Sequence, residues 1–310
     1  MDTDWIKIYW DFMIKEDFEN AIPLKDLHFP ESFFKYRRLS EKTIETLEDN
    51  YIWLAEISSL NDPFECSIQF DNDECLREYY ASKKFITNFN SITGQDLTKQ
   101  EIEILTTDEK PYERFIEICG KRKIQLQLTA KQQIDKIQQR WKEIIDESTQ
   151  NLRICSFSTV KYSLLLWSHY SLDHKGICLE YNFQNHELVR PFIQPVLYSD
   201  KVHKIGKFED YTTMQMIGSS LIKSIDWKYE REWRLTIFKQ KEKFPQKVTV
   251  EKPKAIYLGT CFYKNDKKLI SKFLGIAKNK NIQVYQMDKH PTEFRLIEKK
   301  NTTDNNVFTK

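Results

Sequence analysis

The chain reads as an α+β protein, a class set by two patterns in its 310 residues. Short aromatic and β-branched runs stand on either side of a long, charged, helix-patterned stretch, and neither an internal repeat nor a long linker divides them. Hydrophobic residues make up 40% and aromatics 14%, with 20 Phe, 15 Tyr and 7 Trp, which is ample ring surface for a packed core. A single composite domain over 1–310 is expected, with an N-terminal helical extension over 1–30, a helical insertion over 71–148 and a flexible tail over 301–310.

Taken in order, Trp5, Ile8, Tyr9, Phe12 and Ile14 among acids predict a short amphipathic helix, broken by Pro23 and Pro30. Phe33–Arg37 predicts the first strand of the main fold. Ser40 is placed to cap a helix carrying Ile44 and Leu47, followed by a strand at Tyr51–Leu54 and a turn at Asn61-Asp62-Pro63. Between 71 and 148 the pattern is helical: Thr98 with Glu101 forms a capping-box signature, and Ile134, Ile137, Trp141 and Ile144 recur at helical spacing. Strands return at Ile154–Phe157, Gly176–Tyr181 and Val196–Tyr198. A helix is expected over Asp210–Ile222, then the alternating strand Trp233–Phe238. A strand-helix-strand unit follows, formed by Ala255–Gly259, a Lys-rich helix and Ile282–Tyr285.

Composition also narrows the function classes. With 48 Lys plus Arg against 46 Asp plus Glu, the balance of +2 exerts no global pull on nucleic acid or anionic membrane. No apolar run reaches transmembrane length, and the acidic start Met1-Asp2-Thr3-Asp4 lacks a basic signal region, so a cytoplasmic chain without membrane contact is expected. Six scattered cysteines without a C-x-x-C pair predict reduced thiols. His169 and His174 are five apart, off the spacing that puts two metal ligands on one helical face, and no metal is expected. Only seven glycines are present, with neither a dinucleotide-binding G-x-G-x-x-G nor a P-loop, so a bound nucleotide must be held by side chains. No G-x-S-x-G elbow is present either.

Three groups of polar residues stand out. Arg37, beside Tyr36 at a strand end, has a guanidinium that can fork onto phosphate or carboxylate, although taken alone a surface ion pair is the commoner role for such a residue. Glu230 and Glu232 lie two apart, which on an extended chain turns both carboxylates to one side, unless they simply form a salt-bridged edge with Arg231 and Arg234. Ser156 and Ser158, then Trp167, His169 and Tyr170, concentrate hydroxyls, an imidazole and aromatic faces of the kind that surround a planar ligand. Each of these is also compatible with an ordinary structural role. Together, Tyr36-Arg37, Ser156-Ser158 and Glu230-Glu232 are expected to form one site.

The runs Phe34–Leu39, Leu60–Glu65, Ser156–Ser158, Leu166–Tyr170, His174–Glu180 and Glu230–Arg234 resemble a bacterial family, domain of unknown function 2971, across most of the chain from Phe33 to about Gln286. More loosely, a strand-end Arg, a central-strand Ser and Glu-x-Glu in that order are similar to the Arg-Ser-Glu signature of ADP-ribosyltransferases. That similarity implies a split mixed or antiparallel β-sheet around a cleft for NAD, which is consumed as a substrate by an effector of the toxin or antiviral-defence kind. It implies that Arg37 binds the pyrophosphate, Ser156 or Ser158 supports the nicotinamide ribose, and Trp167 or Tyr170 stacks the nicotinamide. Glu232 would hold the ribose hydroxyl and Glu230 orient a macromolecular acceptor, protein or nucleic acid. Such a carboxylate stabilises the positive charge that builds on ribose as the glycosidic bond breaks.

Two other classes fit parts of the sequence. A metal-dependent nuclease would draw on carboxylates such as Asp62, Glu65 and Glu180. A non-catalytic module would use an aromatic cleft to sense a ligand or phage protein, with a regulatory protein as a further partner.

Overall fold

The computed structural model describes residues 4–125, 130–206, 212–238 and 246–300. These fall into two compact units: Met1–Pro63, Leu152–Asp200 and Leu221–Lys310 form the first, Phe64–Asn151 and Lys201–Ser220 the second. The tail from Asn301 lies outside the described residues, as do 207–211 of the stretch expected to form a helix over Asp210–Ile222.

The first unit is built on a nine-stranded mixed sheet. In chain order its strands are β1 (Phe33–Arg37), β2 (Ala55–Glu56), β3 (Leu152–Ser158), β4 (Ile177–Tyr181), β5 (Ile193–Pro195), β6 (Glu232–Phe238), β7 (Ala255–Leu258), β8 (Gln283–Lys289) and β9 (Leu296–Lys300). Their spatial order is β9-β8-β7-β4-β1-β3-β6-β5, with β2 added on β3. β7 and β8 run parallel across the helix Lys267–Asn279, the strand-helix-strand unit expected from the sequence, and the remaining neighbours are antiparallel. This is the α+β class read from the sequence.

Strand alternation sorts the side chains onto two faces. Phe33, Phe157, Leu179, Trp233, Leu235 and Ile256 lie in the larger core cluster, against which Ile44 and Leu47 of the helix Glu41–Glu48 and Phe273 of the helix Lys267–Asn279 also pack. Phe34, Tyr36, Cys178, Ala255 and Tyr257 lie in the second cluster with Leu166 and Trp167. β1 pairs with β4 along its full length, but with β3 only at Phe34↔Ser158. Beyond that pair β3 turns to β2 through Ile154 and Arg153, so β1 and β3 part.

Two sequence expectations need correction. Pro23 lies inside the helix Phe18–Leu27 and does not end it. The missing N–H costs one hydrogen bond, while the buried Ala21 and Lys25, whose ammonium donates to the Arg190 and Pro191 carbonyls at 3.4 and 3.0 Å, hold the helix in place. Downstream, the helix Thr213–Ser219 stops short of Ile222, which starts a strand Ile222–Ser224 parallel to Leu197–Ser199. The Ser219 and Ser220 hydroxyls turn back onto the Met216 and Ile217 carbonyls at 2.7 and 2.6 Å, a local bonding pattern that suits a helix end.

The second unit is mostly helical. Its core gathers Leu76, Tyr80, Phe85, Phe89, Leu105, Phe115 and Ile118, and the expected capping box at Thr98 and Glu101 is formed. Glu101 is also bound by Arg122. No helix among the described residues is long and apolar enough to cross a membrane.

Candidate functional site

Where β1 and β3 part, the first unit opens a cleft of about 360 Å³. Lys35, Arg37, Arg38 and Lys42 line it together with Tyr36, Ser156 and Tyr170, and no carboxylate is among the lining residues. Alternation places Lys35 and Arg37 on the Phe33 face of β1. Lys35 is drawn into the opening, where its ammonium donates to the Ser156 carbonyl at 2.6 Å and lies 5.7 Å from the centre of the Phe157 ring. Burial, with the nearby Arg37 charge contributing, lowers the affinity of Lys35 for its proton. The Arg37 guanidinium is half-buried, and among the described residues it makes neither a hydrogen bond nor an ion pair.

Glu230 and Glu232 are together, but not through extended alternation. Glu230 ends the 3-10 helix Ile225–Glu230, Arg231 takes a left-handed conformation (φ 45°), and Glu232 starts β6. Both carboxylates are almost wholly enclosed, at 4% and 5% exposure, which demands compensating charge. Lys223 supplies it to both, at 2.7 Å from Glu230 and 3.0 Å from Glu232, while Arg234 Nε meets Glu232 at 2.7 Å. Burial opposes the ionisation of Glu232, but Arg234 and Lys223 outweigh it and hold its carboxyl well below the usual range. Burial and the charge of Glu232 push Glu230 the other way, upward.

This cluster reaches the cleft through two hydroxyls. The Tyr170 hydroxyl donates to Glu230 at 2.6 Å and accepts from the Asn61 amide at 3.4 Å, and the Ser156 hydroxyl is bonded to Glu232. Ser158 is buried; its hydroxyl donates to the Glu230 carbonyl at 2.6 Å and accepts from the Val160 N–H at 3.1 Å, so it braces the backbone. The Glu232 N–H in turn donates to the Tyr198 hydroxyl at 2.8 Å.

The remaining expected residues divide. Tyr36 lies along the cleft while its hydroxyl donates to the Val160 carbonyl at 2.8 Å. Trp167 is 0% exposed, edge-on to Tyr36, with its indole N–H donating to the Lys161 carbonyl at 2.8 Å; it is enclosed in the core and does not face the cleft. His169 is exposed and shares a hydrogen bond of 3.1 Å with the Tyr229 hydroxyl. Arg37 and Glu232 lie on opposite faces of the sheet; Arg37 lines the cleft, whereas Glu232 reaches it only through the Ser156 hydroxyl. Two lysines were overlooked. Lys35 was detectable as a charge alternating with Phe33 on a core face, whereas Lys223, between Ile222 and Ser224, carries no local signal.

Of the carboxylates in the nuclease reading, Glu180 is held by the Ser32 hydroxyl at 2.7 Å, the Tyr257 hydroxyl at 2.5 Å and Lys254 at 3.3 Å. Asp62 is buried in the first unit, and Glu65 belongs to the second. Among the described residues no group of three or more His, Cys, Asp or Glu is arranged to hold a metal ion.

Beneath β1, the helix Leu164–Tyr170 runs into a turn in which Leu172, Asp173 and His174 are all left-handed (φ 51°, 52° and 65°), closed by the Gly176 N–H donating to the Ser171 carbonyl at 2.6 Å. Gly176 then lies directly against β1: a Cβ there would meet the Arg37 carbonyl oxygen at 2.2 Å.

Residues 166–235 match the model of a family described as protein of unknown function, DUF2971, and the resemblance to domain of unknown function 2971 holds over that stretch. It takes in Tyr170, the left-handed turn, Lys223 and the Glu230–Arg234 cluster, while Lys35, Arg37 and Ser156 lie outside it. No curated protein and no solved structure matches the chain.

Proposed function

We propose that the first unit binds NAD in the cleft between β1 and β3 and cleaves it at the nicotinamide bond, passing the ADP-ribosyl group to a macromolecular acceptor in the manner of an ADP-ribosyltransferase. The observation that carries the binding half is Arg37: a half-buried guanidinium with no protein partner among the described residues, in a cleft lined, among those residues, by three further cations and no carboxylate. Guanidinium is the donor best matched to phosphate oxygens, and leaving one unpaired while partly desolvated costs free energy that an anion recovers. The Ser156 and Tyr170 hydroxyls would face the ribose, oriented from behind by Glu232 and Glu230. The parting of two neighbouring strands is consistent with a split sheet of the ADP-ribosyltransferase kind.

A second reading is favoured by one observation. Glu232 is paired with two cations and 5% exposed, so the carboxylate that would stabilise a developing positive charge is already neutralised. In that case the same cleft holds a phosphorylated ligand without turning it over and acts as a sensor.

Titration calorimetry with NAD and with ADP-ribose, run beside an assay of released nicotinamide, separates the two. Binding with release that is lost in Arg37→Ala supports the transferase; binding without release leaves the sensor. Failure of the wild-type protein to bind either nucleotide overturns the transferase and excludes NAD and ADP-ribose as the sensed ligand.

A further inference from the structure

The cleft contains a second feature that anion binding does not require. Lys35 reaches into the opening between β1 and β3, where its ammonium donates to the neutral Ser156 carbonyl and lies within hydrogen-bonding reach of the Cys155 side chain. Among the described residues no carboxylate lies within ion-pair distance of its ammonium, unlike Lys161, Lys204, Lys223, Lys247 and Lys272, each of which has an acidic partner. Its surroundings are the Phe157 ring, the enclosed Cys155 and the Arg37 charge, with the Glu232 charge acting on it from beyond ion-pair distance. A desolvated amine beside another cation and without an ion-pair partner gives up its proton more readily than an exposed lysine, which favours its action as a nucleophile. Burial indeed lowers its proton affinity.

We propose that Lys35 is a covalent site for a ligand carrying both an aldehyde and a phosphate, the phosphate held by Arg37 and Arg38 and the aldehyde carbon bonded to Lys35 Nζ. The ammonium first gives one proton to solvent. Its lone pair then forms a bond to the carbonyl carbon while a second amine proton passes to the carbonyl oxygen, giving a carbinolamine. Loss of that hydroxyl with the last amine proton as water leaves a C=N bond, with no oxidant or reductant consumed. The inference goes beyond NAD as ligand, since it depends on the cleft alone.

Pyridoxal 5′-phosphate is a suitable probe. The full chain is treated with a substoichiometric amount, the imine is reduced with borohydride, and the modified lysine is identified by peptide mass spectrometry. Lys35 is expected to take most of the label. Labelling at Lys35 should fall about tenfold with pyridoxal, which lacks the phosphate, or in Arg37→Ala, the scale of one charge-assisted hydrogen bond. Inorganic phosphate should protect it. Label spread over exposed lysines with the Lys35 peptide unmodified overturns the proposal, as does equal labelling of Lys35 by pyridoxal and its phosphate. Because wild-type protein gives the decisive reading, a Lys35→Arg variant that failed to fold would not obscure it.

Discussion

Two charged regions of the first unit are joined through the Ser156 and Tyr170 hydroxyls, and they are built on opposite terms. In the Lys223–Glu230–Glu232–Arg234 cluster two acids meet two bases, all at 5% exposure or less, and each carboxylate is bonded. In the cleft four cations line the wall, none of them in an ion pair among the described residues, and the Arg37 guanidinium makes no hydrogen bond among them. Buried charge that is fully compensated contributes to a unique structure, whereas charge left uncompensated awaits a partner from outside. The contrast shows that the pair of glutamates, the more conspicuous motif in the sequence, is the less accessible to a ligand.

The comparison can be broken most forcefully at Arg234. Arg234→Met leaves Glu232 enclosed with only Lys223, and should cost about 3–5 kcal/mol in denaturant unfolding. A cost near zero would show that Glu232 is not held as a structural charge. Since Glu232 ionises more readily folded than unfolded, its stabilisation is present above the ordinary carboxylate range and fades as pH falls below it; Glu232→Gln should flatten that acid limb of the stability curve. Tyr170→Phe comes next: it removes the hydroxyl that Glu230 accepts from and should cost about 1–3 kcal/mol. The smallest effect sharpens the contrast from the other side. Arg37→Ala should leave unfolding within about 0.5 kcal/mol, because its guanidinium has no partner among the described residues to lose, while removing nucleotide binding. A large stability loss there would mean that Arg37 belongs to the scaffold.

Much of the sheet was legible because its strands are short aromatic or alternating runs, as in Phe33–Arg37 and Trp233–Phe238, and local pattern suffices for them. The site was legible only in part. Glu230 and Glu232 were expected to converge by two-residue alternation, and they converge because Arg231 bends the chain through a left-handed residue, which no spacing rule reports. Trp167 looked like a stacking surface from its polar neighbours, yet its ring is consumed by packing on Tyr36. Lys223 could not be foreseen, since its role depends on a strand that begins where helix was expected. Which face of a sheet a strand-end residue serves follows from register, and the parting of β1 from β3 is a property of pairing that single residues do not encode.

The left-handed turn at Leu172–His174 bears on how this cleft can be altered. Each non-glycine residue in that conformation carries about 1–2 kcal/mol of steric penalty, which the surrounding hydrogen bonds must hold in check. Through Gly176 the turn abuts the main chain of Arg37, so the end of β1 that carries this cleft residue is fixed by backbone against backbone. The Arg37 side chain can therefore be exchanged to suit a new ligand while the main chain that carries it keeps its shape, which makes this position a natural starting point for redesigning what the protein holds.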